Sequence, residues 1–156
     1  MTATMGVDAL LRSNGVEYAT VFPEHSSRHE GRRAPVIQGA QVARSVLLAG
    51  DRDYALAVIP RDRHLDLAAI EEEFGRRLRM AGTAEVARLF PGLPPRALPP
   101  ITDGIQLETF VDQSLVPLSA VYFETASPRR LVRIDGESFR GLLYGAWCGR
   151  ISRAES

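Results

Sequence analysis

Ser45-Val46-Leu47-Leu48-Ala49-Gly50-Asp51-Arg52-Asp53-Tyr54-Ala55-Leu56-Ala57-Val58-Ile59 is the stretch on which the fold turns. Ser45–Leu48 and Tyr54–Ile59 are apolar runs too short for ordinary helices. Gly50-Asp51-Arg52-Asp53 between them is turn chemistry. The pattern predicts an antiparallel hairpin at the centre of the sheet.

Working outward toward the N-terminus, Gln38–Arg44 reads as a short helix feeding the hairpin. Pro23–Pro35 is a polar loop, Val16–Phe22 alternates like a strand, and Val7, Leu10 and Leu11 mark a helix stopped by Asn14-Gly15. Downstream, Asp66 caps a helix with Leu67, Ile70 and Phe74 on its buried stripe and Gly75 at its end. Leu78–Ala81 is a strand candidate, and Thr83 is expected to cap a second helix with Val86, Leu89 and Phe90 facing inward. Pro91–Pro100 holds five of the ten prolines, so it reads as a stiff loop. Ile105–Val111, Val121–Thr125 and Leu131–Ile134 read as strands, and Ser138–Tyr144 as a closing helix. Strands and helices mix without strict βαβ alternation. The expectation is therefore α+β, one domain over residues 1–156, with a mixed, mainly antiparallel sheet and flanking helices.

All 19 basic residues are Arg, and there is no Lys. That excludes Schiff-base chemistry, phosphate-binding loops with their Lys, and kinases with their strand lysine. Arg stays protonated and cannot substitute as a general base. Nineteen acidic residues balance the charge to zero, which argues against a strongly basic nucleic-acid clamp but leaves a local Arg patch open. Cys148 is the single cysteine, so neither an internal disulfide nor a Cys-based zinc site is expected. No apolar run suits a membrane span and no signal-peptide pattern is visible, so a cytoplasmic protein is the expectation.

Taken singly, the candidate chemical residues identify no reaction. His25 and His29, flanked by Glu24 and Glu30, have metal-ligand spacing on a helix, but the segment lacks helical periodicity and reads better as solvated loop; no metal is expected. Ser26, Ser27 and Ser114 are hydroxyl nucleophile candidates outside any Gly-x-Ser-x-Gly elbow. Asp112 is either a strand-end residue capping its own backbone or a carboxylate at a cleft rim, and the sequence leaves both open. Cys148 reads as structural, because nothing supplies the electropositive setting a reactive thiol needs. Glu71-Glu72-Glu73 reads as a solvated helix face, and Arg76, Arg77, Arg79, Arg129, Arg130 and Arg133 as surface residues.

The order of segments says more. Gln41–Leu48, Tyr54–Pro60, Arg63–Leu67, Arg77–Ala81, the helix over Thr83–Phe90, the proline-rich loop, Thr109–Leu115, Val121–Glu124 and Leu131–Ile134 together resemble the YbaK/ProX family. The likeness covers about Val7 to Leu143 and rests on order and spacing, since no single motif is diagnostic. The family comprises aminoacyl-tRNA deacylases and the related editing domain of bacterial prolyl-tRNA synthetases. The resemblance implies a curved sheet, hydrolysis in trans of the ester joining a wrong amino acid to the terminal adenosine, the acceptor end of aminoacyl-tRNA as partner, and no cofactor. An activated ester needs a positioned water and a stabilised oxyanion more than strong acid catalysis.

Two family features depart here. The family Lys before the first central strand is matched by Arg44, and the Gly of a Gly-x-x-x-Pro loop by Arg96, with Pro100 at the Pro. The resemblance assigns Arg44 to substrate orientation, Arg96, Ala97, Leu98 and Pro100 to the oxyanion loop, and Asp112 and Ser27 to substrate binding. Arg at a position that needs positive φ is costly, so Arg96 predicts a reshaped loop. The alternatives are a module that binds aminoacyl-tRNA or a nucleotide without turnover, and a structural protein whose cleft is plugged by Arg96 or Leu98.

Overall fold

The computed structural model describes residues 6–23, 37–100 and 107–154. The hairpin forms as read: β2 (Val42–Ala49) and β3 (Tyr54–Pro60) pair antiparallel from Ala43↔Pro60 to Ala49↔Tyr54. Both are buried almost throughout, as their continuous apolar character requires.

The other strands assemble on the hairpin. On the β3 side, β6 (Glu108–Asp112) and then β9 (Trp147–Gly149) add in parallel. On the β2 side come β7 (Ala120–Glu124), β8 (Leu131–Asp135) and β1 (Ala19–Val21), the last two antiparallel to their neighbours. Two-residue β5 (Arg79–Met80) also pairs with β2. A separate ribbon joins β4 (Arg63–Leu65) to β10 (Ser152–Ala154). The helices are α1 (Val7–Ser13), α2 (Leu67–Phe74), α3 (Thr83–Leu89) and α4 (Gly136–Leu142). The architecture is α+β with a mixed sheet, as expected.

Several boundaries move. Gln38–Arg44 is not a helix: a single 3-10 turn, Gly39–Gln41, precedes β2, which starts at Val42. Val42 and Ala43 are already buried strand residues, so burial overrides the local pattern. The strand expected over Val16–Phe22 contracts to β1. Gly82, not Thr83, occupies the N-cap of α3, and Glu85 Oε1 accepts from its backbone N–H at 2.8 Å. Asp66 caps α2 as read, accepting from Ala69 N–H, and Gly75 takes the left-handed C-terminal position at φ 70°. The ribbon of β4 and β10, and β9, went unread because three-residue strands carry too little alternation.

Three apolar clusters form around the sheet. One joins α1 and α4 to Ala43, Val58, Val121 and Phe123. A second packs Ile70 of α2 on Leu48, Ala57, Ile59 and Phe110. The third, Leu47, Leu56, Phe90 and Leu98, seats α3 and the proline-rich loop. At the start of α4 the backbone packs closest: a Cβ on Gly136 would lie 1.9 Å from the Leu118 carbonyl oxygen. That oxygen belongs to backbone and cannot swing away. Gly136→Ala is expected to destabilise the fold by about 3 kcal/mol, read as a lower urea midpoint with an unchanged slope.

Candidate functional site

β2 has a full antiparallel partner on one edge and a broken one on the other. β7 runs parallel to it only at Val42↔Tyr122 and Ala43↔Phe123, because β7 ends at Glu124 and the chain turns toward β8. β5 resumes the pairing only at Leu48↔Met80 and Ala49↔Arg79, extended by Ala81 N–H donating to Leu47 O at 3.0 Å. Between them, Arg44–Val46 has no strand partner on that side among the described residues. A pocket of about 440 Å³ opens there, lined by residues of β2 from Arg44 to Leu47, by Met80, Thr83 and Val86, and by Pro95, Arg96 and Leu98 of the proline-rich loop.

Arg44 would be the next register partner of Glu124. Its Nη2 donates to Glu124 Oε2 at 3.3 Å, and Arg61 Nη1 reaches Glu124 Oε1 at 3.5 Å. One carboxylate thus serves two guanidinium groups. Arg44 Nε is shielded from solvent and has no hydrogen-bond partner among the described residues, and the same holds for the hydroxyl of Ser45. Buried polar atoms are rarely left so, and both belong to pocket-lining residues.

Arg96 explains how the loop tolerates its departure from glycine. Pro95–Ala97 is a 3-10 turn flanked by Pro94 at φ −68° and Leu98 at φ −69°. The four positive-φ residues among those described are all Gly and lie elsewhere, at positions 15, 75, 92 and 145. No left-handed residue is needed here. The Arg96 side chain donates to the carbonyls of Thr125, at 2.5 Å, and Ala126, at 2.9 Å. It ties the loop to the turn after β7. Thr125 is itself buried, its hydroxyl donating within that turn to the carbonyls of Ser127 and Arg130. Arg130 in turn holds both oxygens of Asp8 on α1 at 2.6 and 2.8 Å.

Of the sequence-derived candidates, Arg44, Arg96 and Leu98 meet at this pocket. Ala97 and Pro100 are buried beside it without lining it. Ser27, with His25 and His29, lies outside the described residues. Asp112 corrects the cleft-rim expectation: it is 2% exposed, absent from the pocket, and saturated by hydrogen bonds. It accepts from Ser114 N–H and Oγ, Ile151 N–H and Ser152 Oγ. It caps its own turn, the other reading the sequence allowed, and joins β6 to the C-terminal strand. The residues missed were Ser45, Glu124 and Arg61. Their signal was present only as register, which needs β2 and β7 paired to become visible.

Among the described residues, the lining contains no carboxylate, His or thiol. Cys148 is remote from it, and its thiol is pushed up by desolvation and by the charges of Asp112 and Glu73, the reverse of activation. No cluster that could hold a metal ion occurs among the described residues. Beside α3, Glu85 is held at about 2 by Arg79, the Gly82 N–H and Tyr54, so a carboxylate close to the pocket wall is committed to neighbours on α3, β5 and β3.

The aminoacyl-tRNA editing domain model matches residues 25–142. The chain belongs to this family. The YbaK/ProX likeness read from segment order therefore stands. Among solved structures, a candidate trans-editing enzyme for prolyl-tRNA synthetase is similar at 20% identity and TM-score 0.68, covering 92% of each chain. A hypothetical protein is similar at 18% identity and TM-score 0.72, covering 94% of this chain and 99% of that one. A candidate signal transduction protein from Marinobacter aquaeolei VT8 is similar at 24% identity and TM-score 0.76, covering 94% of this chain but 30% of the larger one. At such identities these likenesses speak for the fold. No curated protein matches the chain in sequence. No helix among the described residues is long and apolar enough to cross a membrane.

Two outcomes follow for this architecture. Arg96→Ala removes two charge-assisted bonds to carbonyls and should cost about 1–3 kcal/mol, with hydrogen exchange rising locally in residues 91–100 and 125–130. For Asp112, burial alone would raise the carboxyl pKa, but its hydrogen bonds outweigh burial and hold it below the ordinary value. Its stabilisation is therefore full above the unfolded pKa of about 3.9 and fades as pH falls through the folded value. Asp112→Asn should lower stability at pH 7 by about 2 kcal/mol and flatten the loss on acidification, measured by urea unfolding from pH 7 to 3.

Proposed function

We propose that this protein is an aminoacyl-tRNA deacylase acting in trans, taking the acceptor end of a mischarged tRNA into the pocket beside β2. The observation carrying this reading is the meeting of Arg44 with the Arg96–Leu98 turn at the unpartnered edge of a sheet in an editing-domain fold.

Arg44 and Arg96 line the pocket, and beside it Arg44 and Arg61 share the carboxylate of Glu124. Arg96 bonds only to carbonyls, so its charge is not cancelled by a carboxylate in those bonds. That excess suits the terminal phosphodiester and the oxyanion that forms when water adds to the ester carbonyl. In the step, water adds to the carbonyl carbon, the tetrahedral intermediate collapses, the ester C–O bond breaks, and the ribose oxygen leaves carrying a proton. With no titratable base in the lining among the described residues, the site is read as contributing by orientation and by stabilising the oxyanion. Arg44, restrained by Glu124 through Nη2, orients the substrate oxygen. Leu98 and Val86 supply apolar walls that exclude bulk water.

Binding without turnover remains the second reading, favoured by the Arg96 substitution at the loop position where the family keeps Gly. A plugged cleft is not: Arg96 is bonded to carbonyls and the pocket is open. Incubation with a panel of mischarged tRNAs separates the readings. Wild type should hydrolyse at least one above the buffer rate, with Arg44→Ala lowering kcat/KM by about 10- to 100-fold, the worth of a charge-assisted bond. Buffer-rate hydrolysis of every tRNA, with retained affinity for aminoacyl-adenosine analogues, establishes the binding reading instead.

A further inference from the structure

We propose that Ser45 is a specificity-determining residue, its hydroxyl selecting an aminoacyl group with a short, hydroxyl-bearing side chain over one of similar size that is apolar. The inference rests on the editing reading above and adds to it the chemical class of the amino acid.

Along β2, strand alternation puts Ala43, Ser45 and Leu47 on one face. Ala43 belongs to the cluster with Val58 and Phe123, and Leu47 to the cluster with Leu56, Phe90 and Leu98. Ser45 lies between these two clusters on the strand. Its register partner Val58 offers no polar atom in its side chain. Ser45 is 2% exposed, lines the pocket, and its Oγ has no partner among the described residues.

Leu47, Val86 and Leu98 supply apolar surface to the same lining, which also includes Thr83, but Ser45 is the residue whose hydroxyl is both shielded and unpaired. A hydroxyl shielded from solvent and left unpaired is costly, and a ligand that pairs it recovers that cost. A ligand of the same size without a polar group leaves it unpaired. The site therefore discriminates by what the wrong ligand fails to satisfy. The reach of Ser is one carbon from the backbone, so the ligand group that meets it must approach the strand closely. The missing strand partner beside Arg44–Val46 permits that approach. Arg44, on the opposite face, is free to handle the ester while Ser45 reads the side chain.

The probes are hydrolysis-resistant 3′-aminoacylamino-3′-deoxyadenosines carrying serine or alanine, with affinities measured calorimetrically for wild type, Ser45→Ala and Ser45→Thr. Wild type should prefer the seryl analogue by about tenfold or more. Ser45→Ala should bring the two within about threefold, chiefly by weakening the seryl analogue, and Ser45→Thr should retain the preference. Equal affinities in wild type, or a preference that survives in Ser45→Ala, overturns the proposal. Because the readout is binding, equal affinities alongside intact tRNA deacylation sink the role of Ser45 alone. Failure to bind either analogue, together with absent deacylation, sinks it along with the editing reading.

Discussion

The unpartnered interval Arg44–Val46 on β2 is the constraint from which the site follows. β7 and β5 approach the same edge of β2 in opposite directions, and neither reaches the middle. A central strand with an open edge has backbone groups that must meet water or a ligand, which buried loops and sheet interiors avoid. Here the opening is kept narrow by α3 on one side and the proline-rich turn on the other, so it becomes a pocket and not an aggregation edge. The full β2–β3 pairing on the opposite side fixes the register of the strand, and its alternation places Arg44 and Ser45 on opposite faces.

The charges around the opening are held by neighbours that themselves belong to rigid elements. Glu124 is the last residue of β7, so the group restraining Arg44 and Arg61 marks the point where the strand stops. Arg96 reads the two carbonyls immediately after it, so loop and strand end are joined by one side chain. Exposed ion pairs contribute little stability, and the half-exposed Arg44–Glu124 contact at 3.3 Å is better viewed as orientation than as strength. The bidentate Arg130–Asp8 pair extends the same arrangement to α1, so both ends of the turn behind the pocket are tied down.

The hairpin, the Asp66-capped helix and the order of later strands were legible because each repeats a local rule over several residues. Gln38–Arg44 was misread because Val42 and Ala43 suit a helix locally and are claimed by the sheet through burial, which is a tertiary effect. Asp112 was ambiguous because the residues that saturate it, Ile151 and Ser152, lie about forty positions away. Arg44 and the Arg96 loop could be placed through family resemblance. Ser45 and Glu124 could not, since one is defined by what it fails to contact and the other by a strand register.

The absence of Lys acquires a specific meaning at Arg44. An ammonium is a compact charge whose donors rotate freely, so a carboxylate neighbour does not fix the direction of the remaining protons. A guanidinium is planar. Its Nη2 contact with Glu124 restrains where that plane can lie, and Nε is left shielded and without a partner among the described residues. Arg at this position therefore trades adaptability for a donor whose orientation is restrained from β7. Arg44 and Glu124 thus act as one unit in the structure, and replacing the carboxylate would free the guanidinium to turn without removing any charge from Arg44.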